Sequence, residues 1–568
     1  MAGVALLVLF TTRYRMPFRL DDVLLMLWAK THSIRDAFDP VRGQMINSFR
    51  PVFSLTAFAL THLAGWDHPF WWHLTLDVSL LTGIAFTGLT ARYLAGRWYV
   101  LELTIALYFV AFLPILNIFF WYSDLTFGLE LAFTAMVWYF GLRGLYEARP
   151  RLWYLAMVLG IFAVLSKEPA FVLVHVVVVG SFLLERKSVL DKWKSISSAK
   201  RNAAIVSYAI LLGISLWVAL VSPTRTNRFF SLSSPGAGYF IRDRVEYYSA
   251  LYFSPMARLL LFTPFVYVLL RAIVDSFARL SKGIRFWFLT IFAAVLSLLI
   301  FQNVLIALPL LVFIFVFLQG RNSTEQRIIR RLLPFLACIL IAMGALLVTV
   351  QLVKTQLTEV AFLTALLSAW AWSVWGEDLA MALAPYTEMP KFRWTAYGIA
   401  VLFGILVLAG VWRRVWREER LLSEVRAVRE DANSAVAWIA HNLPPHSLLA
   451  VARYSLYGID GPGALTPEPD ETKLADQYTF DGGFVFDALN VLGRPDFRRT
   501  YLADSALLPR VVDAMRGRPR SYVLLQSKLD FDRFHGIGYA PILQPGKDTL
   551  VAHFAQGPYP CEVWELKN

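Results

Sequence analysis

Cysteine is nearly absent from this chain: two residues in 568, Cys338 inside an apolar run and Cys561 near the carboxyl end. They form no Cys-x-x-Cys, no zinc knuckle and no disulfide framework, so cysteine says nothing about the redox compartment. Charge is scarce as well. Asp, Glu, Lys and Arg make up 17% of the residues, against about 25% in ordinary globular chains. No glycine-rich phosphate loop sits on a strand-to-helix turn, and neither His-Glu-x-x-His nor Gly-x-Ser-x-Gly occurs. No segment repeats at a fixed period, which weakens a secondary-transporter reading, because the halves of such proteins usually echo one another.

What is abundant is apolar surface. Hydrophobic residues make up 57% of the chain, with 43 Phe, 23 Tyr and 19 Trp, and the mean hydropathy is +0.53. One interior cannot hide that much apolar surface, so most of the chain belongs in lipid. Disorder and collagen are excluded. The net charge of +13 suggests nucleic acid until its location is considered. Lys and Arg gather in short loops between apolar runs, at 186–201, 321–331 and 413–420, as the positive-inside rule produces. The basic balance is topological.

Apolar segments lie near 70–92, 99–120, 125–142, 152–166, 169–185, 204–221, 256–275, 284–300, 303–319, 332–353 and 395–412. A span needs about 20 residues, so several are short. Ala2 to Phe10 is shorter still, half a span, and lacks the basic start and small-residue cleavage site of a signal peptide. Counting it gives about 12 transmembrane helices. The expected fold is therefore an α-helical multi-span membrane domain over 1–412, followed by a soluble α/β domain over 413–568. In that domain 418–442 reads as a helix, and Leu448 to Val451 and Tyr522 to Gln526 read as buried strands.

Charge then orients the chain. Loops 92–98, 143–151, 186–203, 277–285 and 320–331 are the basic set and face inward; loops 11–69, 121–124, 166–168, 222–255, 301–302 and 354–394 face outward. The stretch Val360 to Trp375 has two other readings, a further span or a helix lying on the interface. The choice decides on which side the 413–568 domain sits. Function is expected on the outer face, where the chain spends its non-helical residues.

The first outer loop carries the strongest signal. Asp21-Asp22 follows the first apolar segment and precedes a Trp-containing helix over Val23 to Lys30. One acid of such a pair can act as base or metal ligand while its neighbour tunes it; the plainer reading is a helix cap. Next come Asn47-Ser48-Phe49-Arg50-Pro51-Val52 and Trp66-Asp67-His68-Pro69-Phe70-Trp71-Trp72-His73. Leu165-Ser166-Lys167-Glu168-Pro169 then fills the tightest outward turn. An unpaired charge near membrane depth costs ~2.5–3.5 kcal/mol or more, so Lys167 needs a reason; the plainer one is a mutual pair with Glu168. Inside the apolar segments sit Asp77, Glu102, Glu130 and His175, and inter-helix hydrogen bonding explains them as readily as function does.

Taken in order, the acid pair after the first segment, the Arg-Pro stretch and the Ser-Lys-Glu turn resemble the GT-C superfamily of integral-membrane glycosyltransferases. The pattern is similar to the branch of protein O-mannosyltransferases and the lipid A aminoarabinose transferase, over about residues 1–412. The resemblance implies transfer of a sugar from a polyprenyl-phosphate donor to a protein, glycan or lipid acceptor on the outer face, with inversion. It implies Asp22 and Asp21 as catalytic acids, and Lys167, Arg50, Arg242 and Arg244 as donor phosphate cations. Glu168 and His73 support them. Asp21 and Asp22 would hold a divalent ion, Mg or Mn, if one is used. The partners implied are the lipid-linked donor, the bilayer and an acceptor, with no nucleic acid, at the cytoplasmic (inner) membrane. Arginine forks match phosphate oxygens bidentately, whereas Lys contributes a point charge. Two rival classes remain, a lipid-linked-sugar flippase and a non-catalytic subunit that docks through its tail.

Overall fold

Prolines open three of the apolar helices. Pro51, Pro69 and Pro150 each stand in the first helical turn, where the missing N–H is no loss. In the computed structural model the described residues are 18, 20–45, 48–112, 125–221, 241–242, 244–246, 248–249, 255–274, 282–319, 326–348, 358–383, 426–427, 430–453, 482–497, 502–504, 508–526, 543–544, 546–556 and 560–567. The first apolar segment, the 395–412 segment and the Arg413 run fall outside them.

The membrane part begins with α1 (Leu20–Thr31), a 3-10 turn (Ile34–Phe38), a two-residue hairpin of β1 (Gln44–Met45) and β2 (Ser48–Phe49), and α2 (Pro51–Leu63). There follow α3 (Pro69–Ala95), α4 (Val100–Phe112), α5 (Leu125–Tyr146), α6 (Pro150–Ser166), α7 (Ala170–Leu184), α8 (Arg186–Lys194) and α9 (Ser198–Val221). Then come α10 (Pro255–Ala257, continued through a π turn at Arg258–Phe262), α11 (Thr263–Val274), α12 (Lys282–Ile300), α13 (Val304–Gln319), α14 (Gln326–Val348) and α15 (Thr358–Leu383). Among the described residues four helices are long and apolar enough to cross a membrane: Pro69–Ala95, Leu125–Tyr146, Ser198–Val221 and Gln326–Leu347. Five more are apolar but shorter, Pro51–Leu63 among them. At ~1.5 Å per residue α2 extends about 20 Å, too little to span, so the expected outer loop 11–69 is in large part helical.

Small residues let these helices approach. A Cβ on Gly83 would sit 3.3 Å from the backbone of Leu131 and Ala132, and one on Gly128 would sit 3.1 Å from Ser79, so α3 and α5 cross nearly backbone to backbone. Indole N–H groups finish the seams. Trp138 donates to the Leu173 carbonyl (3.1 Å), Trp153 to Ala204 (3.0 Å), Trp193 to Leu145 (2.9 Å) and Trp28 to Arg42 (2.9 Å). Around the outside, Ile205, Trp287, Ile291, Ile306 and Phe313 are all exposed, as a lipid-facing surface requires.

One expected outward loop is different. Most of 354–394 is the 26-residue helix α15, buried along most of its length. Glu359 at its start meets Lys167, and Glu377 near its end pairs with Arg97 of the inward loop 92–98. Those acids lie eighteen residues apart, roughly 27 Å along a helix. The helix therefore reaches from one end of the bundle to the other. Its polar groups are answered by protein rather than lipid: Ser368 donates to the Leu261 carbonyl (2.8 Å) and Trp372 to Leu260, both within the π turn, and Asp378 takes Tyr267 (2.7 Å) and Arg271 (3.1 Å).

The carboxyl-terminal residues form a five-stranded sheet of order β4-β3-β5-β7-β6, with β3 (Leu448–Arg453), β4 (Leu502–Asp504) and β5 (Ser521–Gln526) parallel, and β6 (Thr549–Phe554) and β7 (Cys561–Glu565) antiparallel. A helix over 430–442, α17 (Gly482–Val491) and α18 (Leu508–Met515) accompany it, the 430–442 helix counting as α16. This tail is attached to the first loop. Lys30 donates to the Val491 carbonyl, and Asn433 donates to the Phe18 carbonyl (3.2 Å).

Candidate functional site

The start of α2, the first turns of α5 and the start of α15 meet around the Ser166–Pro169 turn. Lys167 ends α6 with extended backbone, φ −165° and ψ 146°. Successive side chains of an extended chain point opposite ways, so Lys167 and its neighbour diverge. The mutual Lys167–Glu168 pair, the plainer alternative from sequence, does not form; each residue is paired elsewhere.

Glu168 turns outward to Arg50. The arginine Nε and Nη2 both donate to one carboxylate oxygen, at 3.2 and 2.9 Å. Burial alone would raise the Glu168 pKa, but the Arg50 charge, hydrogen bonds from the backbone and from Arg50, and the Lys167 charge together hold the carboxyl down at about 2. Because one edge of the guanidinium is spent on Glu168, its Nη1 side has no partner among the described residues. Arg50 itself is anchored by position: it caps α2, whose Pro51 fixes the entry, and Ser54 N–H returns to its carbonyl (2.9 Å).

Lys167 turns inward. Its ammonium lies 2.8 Å from Glu359 Oε1, 3.4 Å from Glu130 Oε2 and 3.1 Å from the centroid of the Phe127 ring. The three groups come from α15 and α5, and the site is buried. Glu130 was among the intramembrane acids singled out from sequence. Glu359 was not; its one signal is an acid opening the apolar run Val360 to Ala371. The turn is also tied to α5 by Thr126, whose hydroxyl donates to the Ser166 carbonyl (2.9 Å).

Asp22 lies in the first turn of α1, not before it, and is fully buried. The side chain of Asp21 is outside the described residues. Phe18, just ahead of the pair, packs its ring 5.2 Å from Trp66 and 6.2 Å from Trp72, which adjoins the buried His73. The Asp22 and His73 segments are thus held together by an aromatic cluster, with Asn433 of the tail on the Phe18 carbonyl. Arg242 is exposed and donates to Glu246 one turn on (2.8 Å), whereas Arg244 is buried two residues away. That segment sits against α13, where Ser249 Oγ accepts from the Val304 N–H (3.0 Å). Arg225 and Arg228 are outside the described residues. His175 bridges Tyr208 (2.8 Å) and Ser215 (3.0 Å), the inter-helix hydrogen bonding that was the plainer reading.

Among the described residues no three His, Cys, Asp or Glu side chains come together as a metal site. The acids that are described do not by themselves form a divalent-ion site.

No family model matches the chain, and no curated protein matches it. Among solved structures it is similar to the crystal structure of ArnT from Cupriavidus metallidurans bound to undecaprenyl phosphate, at 14% identity and a TM-score of 0.44, over 99% of this chain and 96% of that one. At that identity and score the likeness carries no argument about activity.

Proposed function

We propose that this chain transfers a sugar from a polyprenyl-phosphate carrier to an acceptor hydroxyl or amine at the outer membrane boundary, with inversion at the anomeric carbon. The observation that carries the reading is the half-buried Arg50, braced on Glu168 with one guanidinium edge unspent. That edge can take two phosphate oxygens at once without releasing Glu168. The motif order shared with GT-C enzymes supports the same reading.

Each step uses this chain's own groups. The acceptor atom attacks the anomeric carbon as the bond to the phosphate oxygen breaks, and the electron pair leaves with the phosphate. Arg50 meets the charge that grows there, and Arg242 and Arg244 add cations from the 241–249 segment. Asp22 takes the acceptor proton as the new bond forms, a contribution typically of ~10²–10⁴-fold. Its place in the first turn of α1 puts it at the positive end of that helix, which favours the carboxylate. Asp21 supports it, and His73 stands behind the aromatic cluster that fixes the segment.

The test is turnover of a polyprenyl-phosphate sugar by the full chain in lipid, with Asp22→Asn and Asp21→Asn compared. Asp22→Asn keeps size and helix start but removes basicity, so transfer should fall by ~10²-fold or more while donor binding survives. Transfer that persists in both variants reduces the acid pair to a helix start and removes the catalytic assignment.

A further inference from the structure

Lys167 and Arg50 are alike in the sequence, two cations at the outer boundary, yet the structure gives them opposite surroundings. Arg50 has an unspent edge. Lys167 is already engaged in a buried site: it donates to Glu359, its ammonium lies 3.4 Å from Glu130 Oε2, and it sits over the Phe127 ring. Two carboxyl groups face one ammonium there, and among the described residues neither Glu130 oxygen accepts a well-formed hydrogen bond. Lys167 is the only cation these two acids have among the described residues.

We infer that Lys167 is a positioning residue: by joining Glu130 of α5 to Glu359 of α15 it fixes the 166–169 turn, and through that turn it sets where Glu168 holds Arg50. The physical reason is adjacency. Lys167 and Glu168 share a peptide with extended geometry, so locking the first side chain into the bundle dictates the direction of the second. Glu359 is then part of the donor site's scaffold although it lies 192 residues from Lys167. Buried ion groups of this kind can often be exchanged for neutral side chains of similar volume, whereas removing one member strands the others. That asymmetry makes the inference testable.

The experiment compares the intact protein in nanodiscs with Lys167→Met and with the neutral triple variant Lys167→Met, Glu130→Gln, Glu359→Gln. The first readout is amide exchange over residues 48–54, which needs no ligand. Lys167→Met should speed exchange there about tenfold or more, and the triple variant should restore it. Unchanged exchange in a folded Lys167→Met protein would overturn the inference. If Lys167→Met does not fold, recovery of folding and of slow exchange in the triple variant decides the matter, and its failure to recover counts against. The second readout is binding of undecaprenyl phosphate, which rests on the function proposed above. A triple variant with restored exchange should bind it as the parent does. Restored exchange with binding still lost would make Lys167 a phosphate ligand and overturn the positioning role. A parent protein that binds no polyprenyl phosphate would defeat the proposed function, while the exchange result would still decide the role of Lys167.

Discussion

At the scale of single residues, Arg50 and Glu168 show how an ion pair can both hold and present a charge. Replacing Arg50 by Lys keeps the charge but not the fork, since one ammonium cannot grip Glu168 and also offer a second planar edge. Arg50→Lys is expected to weaken undecaprenyl phosphate binding about tenfold, ~1.4 kcal/mol, with little change in thermal unfolding. Equal affinity for parent and variant would remove the fork argument. The same pair has a pH signature. Glu168 is held at about 2 against an ordinary value of 4.5, so it binds fewer protons folded than unfolded, and its contribution is present above about pH 4.5 and lost as pH falls through about 2. A Glu168→Gln variant should therefore be less stable than the parent near neutrality, and the gap in melting temperature should close towards pH 2. The side chain is about 30% exposed, so the gap will be small. The sequence made Arg50, Lys167 and Glu168 legible as charges in short boundary segments. It could not show that the neighbours diverge, because that follows from one extended residue and from Glu359 far along the chain.

At the scale of elements, segment positions read from hydropathy agree well with the helices: 125–142 became Leu125–Tyr146, and 303–319 became Val304–Gln319. The miss was α15. Hydropathy detects helices that face lipid, and α15 is enclosed by protein, so it keeps Glu359, Ser368, Ser373, Glu377 and Asp378, each with a protein partner. The α2 helix was hidden for a different reason, being too short to register as a span. Close packing at glycine gives the element-scale prediction. A Cβ on Gly144 would lie 2.7 Å from the Trp153 backbone N, where the α5–α6 turn folds back on itself. Backbone cannot yield as a side-chain tip does. Gly144→Ala should cost ~1–3 kcal/mol, read as a lower unfolding temperature in detergent, whereas Gly213→Ala, with open space around it, should not. Because Ala is the better helix former, propensity favours both substitutions, and similar losses in the two variants would mean that the close approach at Gly144 does not set the effect.

At the scale of the whole molecule, the contacts sort the loops into two groups. Arg50 meets Glu168, Glu359 meets Lys167 and Ser249 meets Val304, all at the end assigned outward by charge. Lys192 meets the Tyr146 carbonyl, Arg331 meets Glu185 and Arg97 meets Glu377 at the other. With α15 counted as a crossing from the Lys167 end to the Arg97 end, the twelve spans expected from hydropathy become thirteen. The 413–568 domain would then lie outside, and two contacts made independently of that count agree, Lys30 with Val491 and Asn433 with Phe18. The tail would sit directly on the helix that carries Asp22, close enough to bound the space an acceptor enters. A reporter fused after Asn568 should be active only when it is exported, and a cysteine pair replacing Phe18 and Asn433 should cross-link in intact membranes. A reporter active in the cytoplasm, or the absence of that cross-link in folded protein, would put the domain inside. The base assigned to Asp22 would then have no tail domain beside it, and the acceptor would have to be held by the first loop and the 241–249 segment alone.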